Sequence, residues 1–264
     1  MTSAEVKGRK IPYEDTGGDG IPLVLAHGFF MDRSMFETQV AALRERCRLI
    51  TYDERGHGEA ADDPDPYSYW DLAEDLAGLL DHLGLSQAVV GGMSQGGFIA
   101  LRFALLHPER VLGLVLLDSQ GGVELPEKLA QYEAMRSVWE EDGPSELMGG
   151  MVAAIILGNY EGNPAWIAKW IDRYPTGLGE IYRTLLERDD ITARLGEIRA
   201  PALVVHGDDD AAIPMERAEM LCAGLSGCER VVVVAGGSHS ANLNRPEAVN
   251  TAIADFLDRL APGG

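Results

Sequence analysis

Residues 88–106 read AVVGGMSQGGFIALRFALL, which is a short apolar run, a glycine-rich turn and a longer apolar run. The first run, 88–90, is short and β-branched, as in a buried strand, whereas 98–106 has the pattern of a helix. Between them, Gly92, Ser94 and Gly96 form the pattern G-x-S-x-G. A sharp strand-to-helix turn strains the serine backbone, requires glycine beside it and holds the hydroxyl at the edge of the sheet. The pattern predicts that Ser94 is a nucleophile.

Short apolar runs alternate with helical patterns along most of the chain. The candidate strands are residues 21–26, 48–52, 88–90, 111–117, 202–205 and 231–234. Nearly continuous apolar runs are typical of parallel strands that helices cover on both faces. Between them, residues 72–83 and 249–260 carry apolar side chains at helical spacing. We therefore predict an α/β fold with a doubly wound, mostly parallel sheet.

The alternation stops between residues 121 and 196. This segment is helical in pattern, is rich in aromatic residues and methionine, and is broken by glycine and proline. We interpret it as a helical cap, or lid, inserted over the carboxyl ends of the strands. Residues 1–120 and 197–264 then form the core of the fold.

Large apolar side chains of the cap and of the loops beneath it are expected to line a substrate pocket. They are Phe30, Met93, Trp139, Met148, Met151, Trp166 and Trp170. Trp166 and Trp170 are four residues apart on one helical face, so packing within the cap explains them equally well. Lys169, Arg173 and Arg183 lie in the same segment, where one could hold a substrate carboxylate or all could face solvent.

A serine hydroxyl becomes reactive when a base takes its proton and a third group orients that base. His239 is the candidate base, because it lies in a glycine-rich loop after the last predicted strand. Asp210 is the candidate acid, because it follows strand 202–205 at the same edge of the sheet. The alternatives to it are Asp208, Asp209 and Asp118. The chain order Ser94, Asp210, His239 is typical of hydrolases whose serine lies on a strand-to-helix turn.

The negative oxygen that forms when the hydroxyl attacks a carbonyl needs two hydrogen-bond donors. We expect one to be the backbone N–H of Gln95, at the start of the helix after Ser94. The other is expected to be the backbone N–H of Phe29, one residue after Gly28 in the loop that follows strand 21–26.

The composition restricts the possible partners. The chain has 264 residues, with 22 Lys and Arg against 42 Asp and Glu, so its formal net charge is −20. With 46% hydrophobic residues it can bury a large core, which excludes a disordered protein. The negative field disfavours nucleic acid and anionic membranes. We expect a small-molecule substrate, with a homo-oligomer left open.

Three cysteines, Cys47, Cys222 and Cys228, are too few and too scattered for a disulfide framework, so we expect three reduced thiols. No Cys and His spacing suggests a metal site, and no cofactor is expected. The N-terminal ten residues lack the apolar segment of a secretory signal, and no apolar run approaches the ~20 residues of a spanning helix. We therefore expect a cytoplasmic protein.

Taken together, these motifs resemble those of the α/β-hydrolase superfamily. The resemblance rests on His27-Gly28-Phe29, the loop DERGHG at 53–58, the Ser94 turn, Asp210 and His239. Within the superfamily, the chain is similar to 3-oxoadipate enol-lactonases, small bacterial esterases and cofactor-free perhydrolases. The resemblance implies a structural role for loop 53–58, and serine rather than aspartate at 94 makes dehalogenase or epoxide-hydrolase chemistry improbable.

The resemblance implies a serine hydrolase that cleaves a small carboxylic ester or a lactone through an acyl-enzyme on Ser94. Two alternatives use the same three side chains: a perhydrolase or haloperoxidase-like activity, and hydrolysis of a carbon–carbon bond. A binding protein without catalytic activity is disfavoured, because such a protein need not keep all three residues.

Overall fold

The computed structural model describes residues 2–60, 65–175 and 178–261, and its centre is a single eight-stranded sheet. The strands are β1 (Ser3–Val6), β2 (Arg9–Asp15), β3 (Ile21–Ala26), β4 (Cys47–Tyr52), β5 (Ala88–Met93), β6 (Val111–Leu117), β7 (Ala202–Gly207) and β8 (Cys228–Val234). Their spatial order is β1-β2-β4-β3-β5-β6-β7-β8. Strand β2 pairs antiparallel with β1 and with β4, and every later pair is parallel. The predicted fold class is confirmed.

Helices lie on both faces of the sheet and over the carboxyl ends of its strands. They are α1 (Glu37–Leu43), α2 (Tyr69–His82), α3 (Gln95–Leu106), α4 (Pro126–Glu141), α5 (Glu146–Ile156), α6 (Asn163–Arg173), α7 (Gly179–Leu186), α8 (Met215–Gly224), α9 (Ala241–Asn244) and α10 (Pro246–Leu260). Successive side chains of a strand point to opposite faces. In β3, Val24 therefore packs in the core cluster that holds α2, α3 and α8, and Leu25 packs in the one that holds α1 and α10. Apolar side chains on both faces explain the continuous apolar runs.

All six predicted strands are present, and β3 and β6 have the predicted bounds. The hairpin of β1 and β2 was not predicted. β1 has four residues, and charged residues such as Glu5 and Lys10 interrupt the apolar pattern of the two strands because they face solvent. Its two-residue turn, Lys7-Gly8, has φ of 50° and 81°, which suits a tight hairpin.

Helices α4 to α7 lie between β6 and β7, in the segment interpreted as a cap. They meet the core at Phe30, in the loop after β3. The ring centroid of Phe30 lies 5.3 Å from that of Trp139 in α4 and 5.7 Å from that of Trp170 in α6. The cap helices therefore lie at the carboxyl ends of the strands, where parallel α/β sheets bind their ligands.

The expectation of three reduced thiols is wrong for two of them. Cys222, in α8, and Cys228, at the start of β8, form a disulfide with their Cα atoms 5.3 Å apart. Their spacing in sequence gives no sign that a helix end and the next strand bring them together. Cys47 is a free, buried thiol, and burial raises its pKa to about 11.

Among the described residues, no helix is both long enough and apolar enough to cross a bilayer.

Candidate active site

Ser94 lies on the turn between β5 and α3, and its backbone is strained. Its φ of 51° and ψ of −110° lie outside the regions that side chains normally permit. A Cβ on Gly92 would lie 2.2 Å from the carbonyl oxygen of Ala26, and a Cβ on Gly96 only 2.0 Å from the same atom. Because these are backbone contacts within the core, the two glycines let the turn pack directly against β3.

Three side chains from distant parts of the chain meet at this turn. Nε2 of His239 is 2.9 Å from Oγ of Ser94, and its Nδ1 is 2.8 Å from Oδ2 of Asp210. With the Nδ1–H donating to the carboxylate, Nε2 accepts the serine hydroxyl hydrogen. Ser94 is 8% exposed and His239 5% exposed, so the hydrogen bonds are shielded from bulk water.

Asp210 is fixed by its other carboxylate oxygen. Oδ1 accepts hydrogen bonds from the backbone N–H groups of Ala212 at 2.7 Å and Ile213 at 2.8 Å. Burial acts to raise the pKa of Asp210, but the opposing effects of His239 and these hydrogen bonds outweigh it, and the pKa is lowered. The carboxylate is therefore ionised at neutral pH.

The alternative acids lie elsewhere. Asp118 accepts from the backbone N–H of Gly207 at 2.8 Å and from that of Ala241 at 3.1 Å, so it ties the end of β7 to the start of α9. Asp208 accepts from the N–H of Gly236 at 2.6 Å, and Asp209 is exposed. Asp210 is the acid within hydrogen-bond distance of the imidazole.

The imidazole of His239 is tuned by two opposing effects. Burial by itself lowers its pKa, and the neighbouring carboxylates of Asp210 and Asp118 raise it. The net shift is upward from 6.5. A more basic imidazole accepts the serine proton more readily, provided that the pH is high enough to leave it neutral.

Two backbone N–H groups lie where the sequence predicts oxyanion donors. Gln95 is the first residue of α3, and Phe29 lies in the turn closed by the hydrogen bond from the N–H of Met31 to the carbonyl of Gly28, 3.0 Å long. Within residues 2–60, 65–175 and 178–261, neither N–H donates to another protein group. Both donors thus stay available to a ligand.

A buried network that the sequence analysis missed holds the side chain of Gln95. Its Nε2 donates to Oε2 of Glu54 at 2.5 Å, and its Oε1 accepts from the hydroxyl of Tyr69 at 3.0 Å. Burial raises the pKa of Glu54 well above 4.5, and the charge of Asp53 adds to the shift. The sequence signal for this network is Glu54 in the loop DERGHG, because a carboxyl group that is buried needs a hydrogen-bond partner.

His27 organises the adjoining loop instead of taking part in proton transfer. Its Nδ1 bonds the carbonyl of Gly28 at 2.8 Å, and its Nε2 accepts from the N–H of Glu54 at 3.1 Å. Burial, its main influence, lowers the pKa of His27, so the ring is neutral.

A cavity with about 820 Å³ of atom-free space, open at its mouth, lies above Ser94 and His239. Four of the predicted pocket residues line it: Phe30, Met93, Trp139 and Met148. The sequence analysis missed other lining residues from the cap, among them Glu124, Tyr132, Met135, Arg136, Val152 and Tyr182.

Three predicted pocket residues do not line this cavity. Met151 is 53% exposed, because α5 turns Met148 and Val152 inward instead. Trp166 and Trp170 share the buried face of α6 and pack between the cap and the core, away from Ser94. Their contacts reach residues of the core such as Phe30, so their packing is not confined to the cap.

The cationic residues considered as anion ligands also lie outside the cavity. Lys169 donates to Asp32 at 2.9 Å, and Arg173 donates to backbone carbonyls of loop 56–60. Arg183 pairs with Glu180 and Glu187. Each is neutralised or hydrogen-bonded where it lies.

Two buried groups have atoms close enough together to be considered as metal ligands: His27, Glu54 and His57, and Asp118, His206 and Asp210. In the first group both ring nitrogens of His27 already bond the backbone. In the second, Asp210 bonds His239 and Asp118 bonds two backbone N–H groups. At least one member of each group therefore already uses its ligand atoms in hydrogen bonds within the protein.

Comparison with known proteins agrees with the architecture. Residues 21–146 match the family described as alpha/beta hydrolase fold, and residues 184–261 match one described as TAP-like protein. A putative carbamate hydrolase RutD from Caulobacter segnis is 30% identical, over 89% of this chain and 91% of the relative. 3-Oxoadipate enol-lactonase 2 from Acinetobacter baylyi is 26% identical, over 90% of this chain and 88% of the relative.

Among solved structures, a thermophilic esterase from Thermogutta terrifontis superposes with a TM-score of 0.88 at 29% identity, covering 98% of both chains. The enol-lactonase from Burkholderia xenovorans LB400 superposes with a TM-score of 0.84 at 27% identity, covering 97% of this chain and 100% of the other. The similarity thus extends over nearly the whole chain, helices α4 to α7 included. On these grounds the chain belongs to the α/β hydrolase family.

Proposed function

We propose that this protein is a serine hydrolase that cleaves a small carboxylic ester or lactone through an acyl-enzyme on Ser94. One observation carries the proposal: Oγ of Ser94 lies 2.9 Å from an imidazole whose other nitrogen bonds an ionised aspartate at 2.8 Å. The named esterase and lactonase relatives support the choice of bond.

The first half of the proposed reaction forms the acyl-enzyme. Oγ of Ser94 attacks the carbonyl carbon while its proton passes to Nε2 of His239. The carbonyl oxygen becomes an oxyanion that accepts hydrogen bonds from the N–H groups of Phe29 and Gln95. As the tetrahedral intermediate collapses, the C–O bond to the alcohol breaks, and His239 gives its proton to the leaving oxygen. Asp210 stabilises the imidazolium and holds its orientation.

The second half uses water in place of the serine. His239 takes a proton from water, the hydroxide oxygen attacks the acyl carbon, and the same two N–H groups hold the oxyanion. Collapse returns the proton to Oγ of Ser94 and releases the acid. Every group that moves a proton belongs to the three side chains described above.

The test is turnover of p-nitrophenyl acetate by Ser94→Ala. We expect kcat to fall by roughly 10³-fold or more, because a serine nucleophile and its base act as a unit. The control is Ser226→Ala. Ser226 is exposed and lies just before β8, at the amino end of that strand and so far from the serine turn, and its hydroxyl donates to the carbonyl of Ile198. Unimpaired turnover by a folded Ser94→Ala protein would overturn the proposal.

A further inference from the structure

The cavity above Ser94 has a distinctive balance of apolar and charged walls. Phe29, Phe98, Met148 and Ile213 are among its many apolar lining residues. Of the described residues that line it, the charged ones other than the catalytic imidazole are Glu124 and Arg136. The state of these two side chains therefore decides which charge a substrate can carry into the cavity.

Arg136 is already neutralised. Its Nε is 2.9 Å from a carboxylate oxygen of Glu133, its Nη1 is 3.8 Å from one of Glu140, and its side chain is 38% exposed. Its guanidinium lies over the ring of Tyr182, 5.8 Å from the centroid. Arg136 is thus a residue of the rim whose charge is compensated from the solvent side.

Glu124 is held rigidly, with one oxygen uncommitted. Its Oε1 accepts from Nε2 of Gln120 at 2.7 Å and from Nη2 of Arg188 at 2.9 Å. The Arg188 side chain is 2% exposed, and it also donates to the carbonyls of Gly122 and Leu185. In the described residues, Oε2 of Glu124 accepts no hydrogen bond from the protein.

Tyr132, another residue that lines the cavity, is influenced by the negative charge of Glu124. The pKa of Tyr132 is raised, mainly by burial and then by the carboxylate of Glu124. Its hydroxyl has no hydrogen-bond partner among the side chains and backbone that the structure describes. Glu124 and Tyr132 thus form one polar patch on an otherwise apolar wall.

We propose that Glu124 makes the site selective for uncharged, largely apolar esters that carry a hydroxyl group remote from the ester, and that it excludes esters carrying a carboxylate. The proposal rests on the proposed function and names its substrate class. A hydroxyl can donate to Oε2 of Glu124 at little desolvation cost. A carboxylate there would lie beside the like charge of Glu124, and the two neighbouring guanidinium groups, those of Arg136 and Arg188, are already paired with carboxylates.

Three p-nitrophenyl esters of equal acyl length separate these effects: the hexanoate, the 6-hydroxyhexanoate and the mono-ester of adipic acid. For the wild type we expect kcat/KM for the adipate ester to be at least ~10²-fold below that for the hexanoate, with the difference mainly in KM. The hydroxyl ester should be the best substrate of the three. Equal rates on all three, or a preference for the adipate ester, would overturn the proposal without any variant.

The variant Glu124→Gln keeps an oxygen that accepts from Gln120 and Arg188 but removes the charge. It should raise kcat/KM for the adipate ester at least tenfold and change that for the hexanoate less than threefold. The matched control is Glu127→Gln, an exposed glutamate three residues further along. Unchanged discrimination in a folded Glu124→Gln protein would refute the role of Glu124. Failure to hydrolyse any of the esters would instead count against the proposed function.

Discussion

Glu54 offers a test of the buried network that holds the start of α3. Its side chain is 1% exposed, and Oε2 bonds Nε2 of Gln95 at 2.5 Å, next to the proposed oxyanion donor. Among the residues that the structure describes, Oε1 finds no hydrogen-bond partner. Burial raises the pKa of Glu54 well above 4.5, with Asp53 adding to the shift, so the folded protein holds this carboxyl protonated.

The raised pKa makes stability depend on pH with a definite sign. The unfolded chain loses the Glu54 proton near pH 4.5, whereas the folded chain keeps it to higher pH. This contribution to stability is complete below pH 4.5 and is lost as pH rises through the folded-state pKa. Between the two pKa values, the free energy of unfolding falls by about 1.4 kcal/mol per pH unit from this one group.

The perturbation is Glu54→Gln, which keeps an oxygen to accept from Gln95 but cannot titrate. Urea unfolding of both proteins from pH 5 to 9 gives the difference in free energy of unfolding at each pH. We expect the free energy of unfolding of the variant to rise relative to that of the wild type by about 1.4 kcal/mol per pH unit, until the pH reaches the folded-state pKa of Glu54. The control is Glu109→Gln, at an exposed glutamate, whose free energy of unfolding should differ from that of the wild type by the same amount at every pH. A constant gap between wild type and Glu54→Gln would show that Glu54 is ionised in the fold.

Three further predictions concern the site and its scaffold. Asp210→Asn should lower kcat/KM by roughly 10⁴-fold. It should also move the acid limb of the pH profile of kcat/KM from above 6.5 to lower pH, because the carboxylate raises the pKa of His239. An unshifted acid limb would contradict this. Gly96→Ala should lower kcat/KM by roughly 10²-fold, because the added Cβ displaces the serine turn. The control Gly150→Ala, whose Cβ meets no atom within 4 Å, should keep full activity. Equal activity of the two variants would be contrary evidence. Cys222→Ser should reduce the free energy of unfolding by about 2 kcal/mol, because it removes a disulfide that closes a short loop. The variant should keep the wild-type kcat. Denaturation curves that match those of the oxidised wild type would refute this prediction.

The parts of the fold that sequence predicts well are those fixed by local constraints. A strand covered on both faces must be apolar throughout, so β3 and β6 are visible with their bounds. The glycines around Ser94 are equally informative, since a Cβ at Gly96 would meet backbone. The side chains of Asp210 and His239 come within hydrogen-bond distance because parallel strands end at one edge of the sheet.

The parts that sequence does not predict depend on contacts between distant residues. β1 and β2 are half-exposed strands at one end of the sheet, and the disulfide depends on where α8 meets β8. Which cap residues face the cavity depends on the rotation of each helix, so Met148 and Met151, three residues apart, differ in exposure. The role proposed for Glu124 depends on a pairing with Arg188, 64 residues away. The limits of the cap stay a prediction.

The central claim is that the imidazole of His239 makes the hydroxyl of Ser94 a nucleophile. A fluorophosphonate that reacts covalently with activated serines, followed by intact-protein and peptide mass spectrometry, measures this directly. We predict one adduct per chain, located on Ser94, and loss of labelling both in Ser94→Ala and in His239→Ala. Labelling of another residue, or undiminished labelling without the imidazole, would contradict the claim.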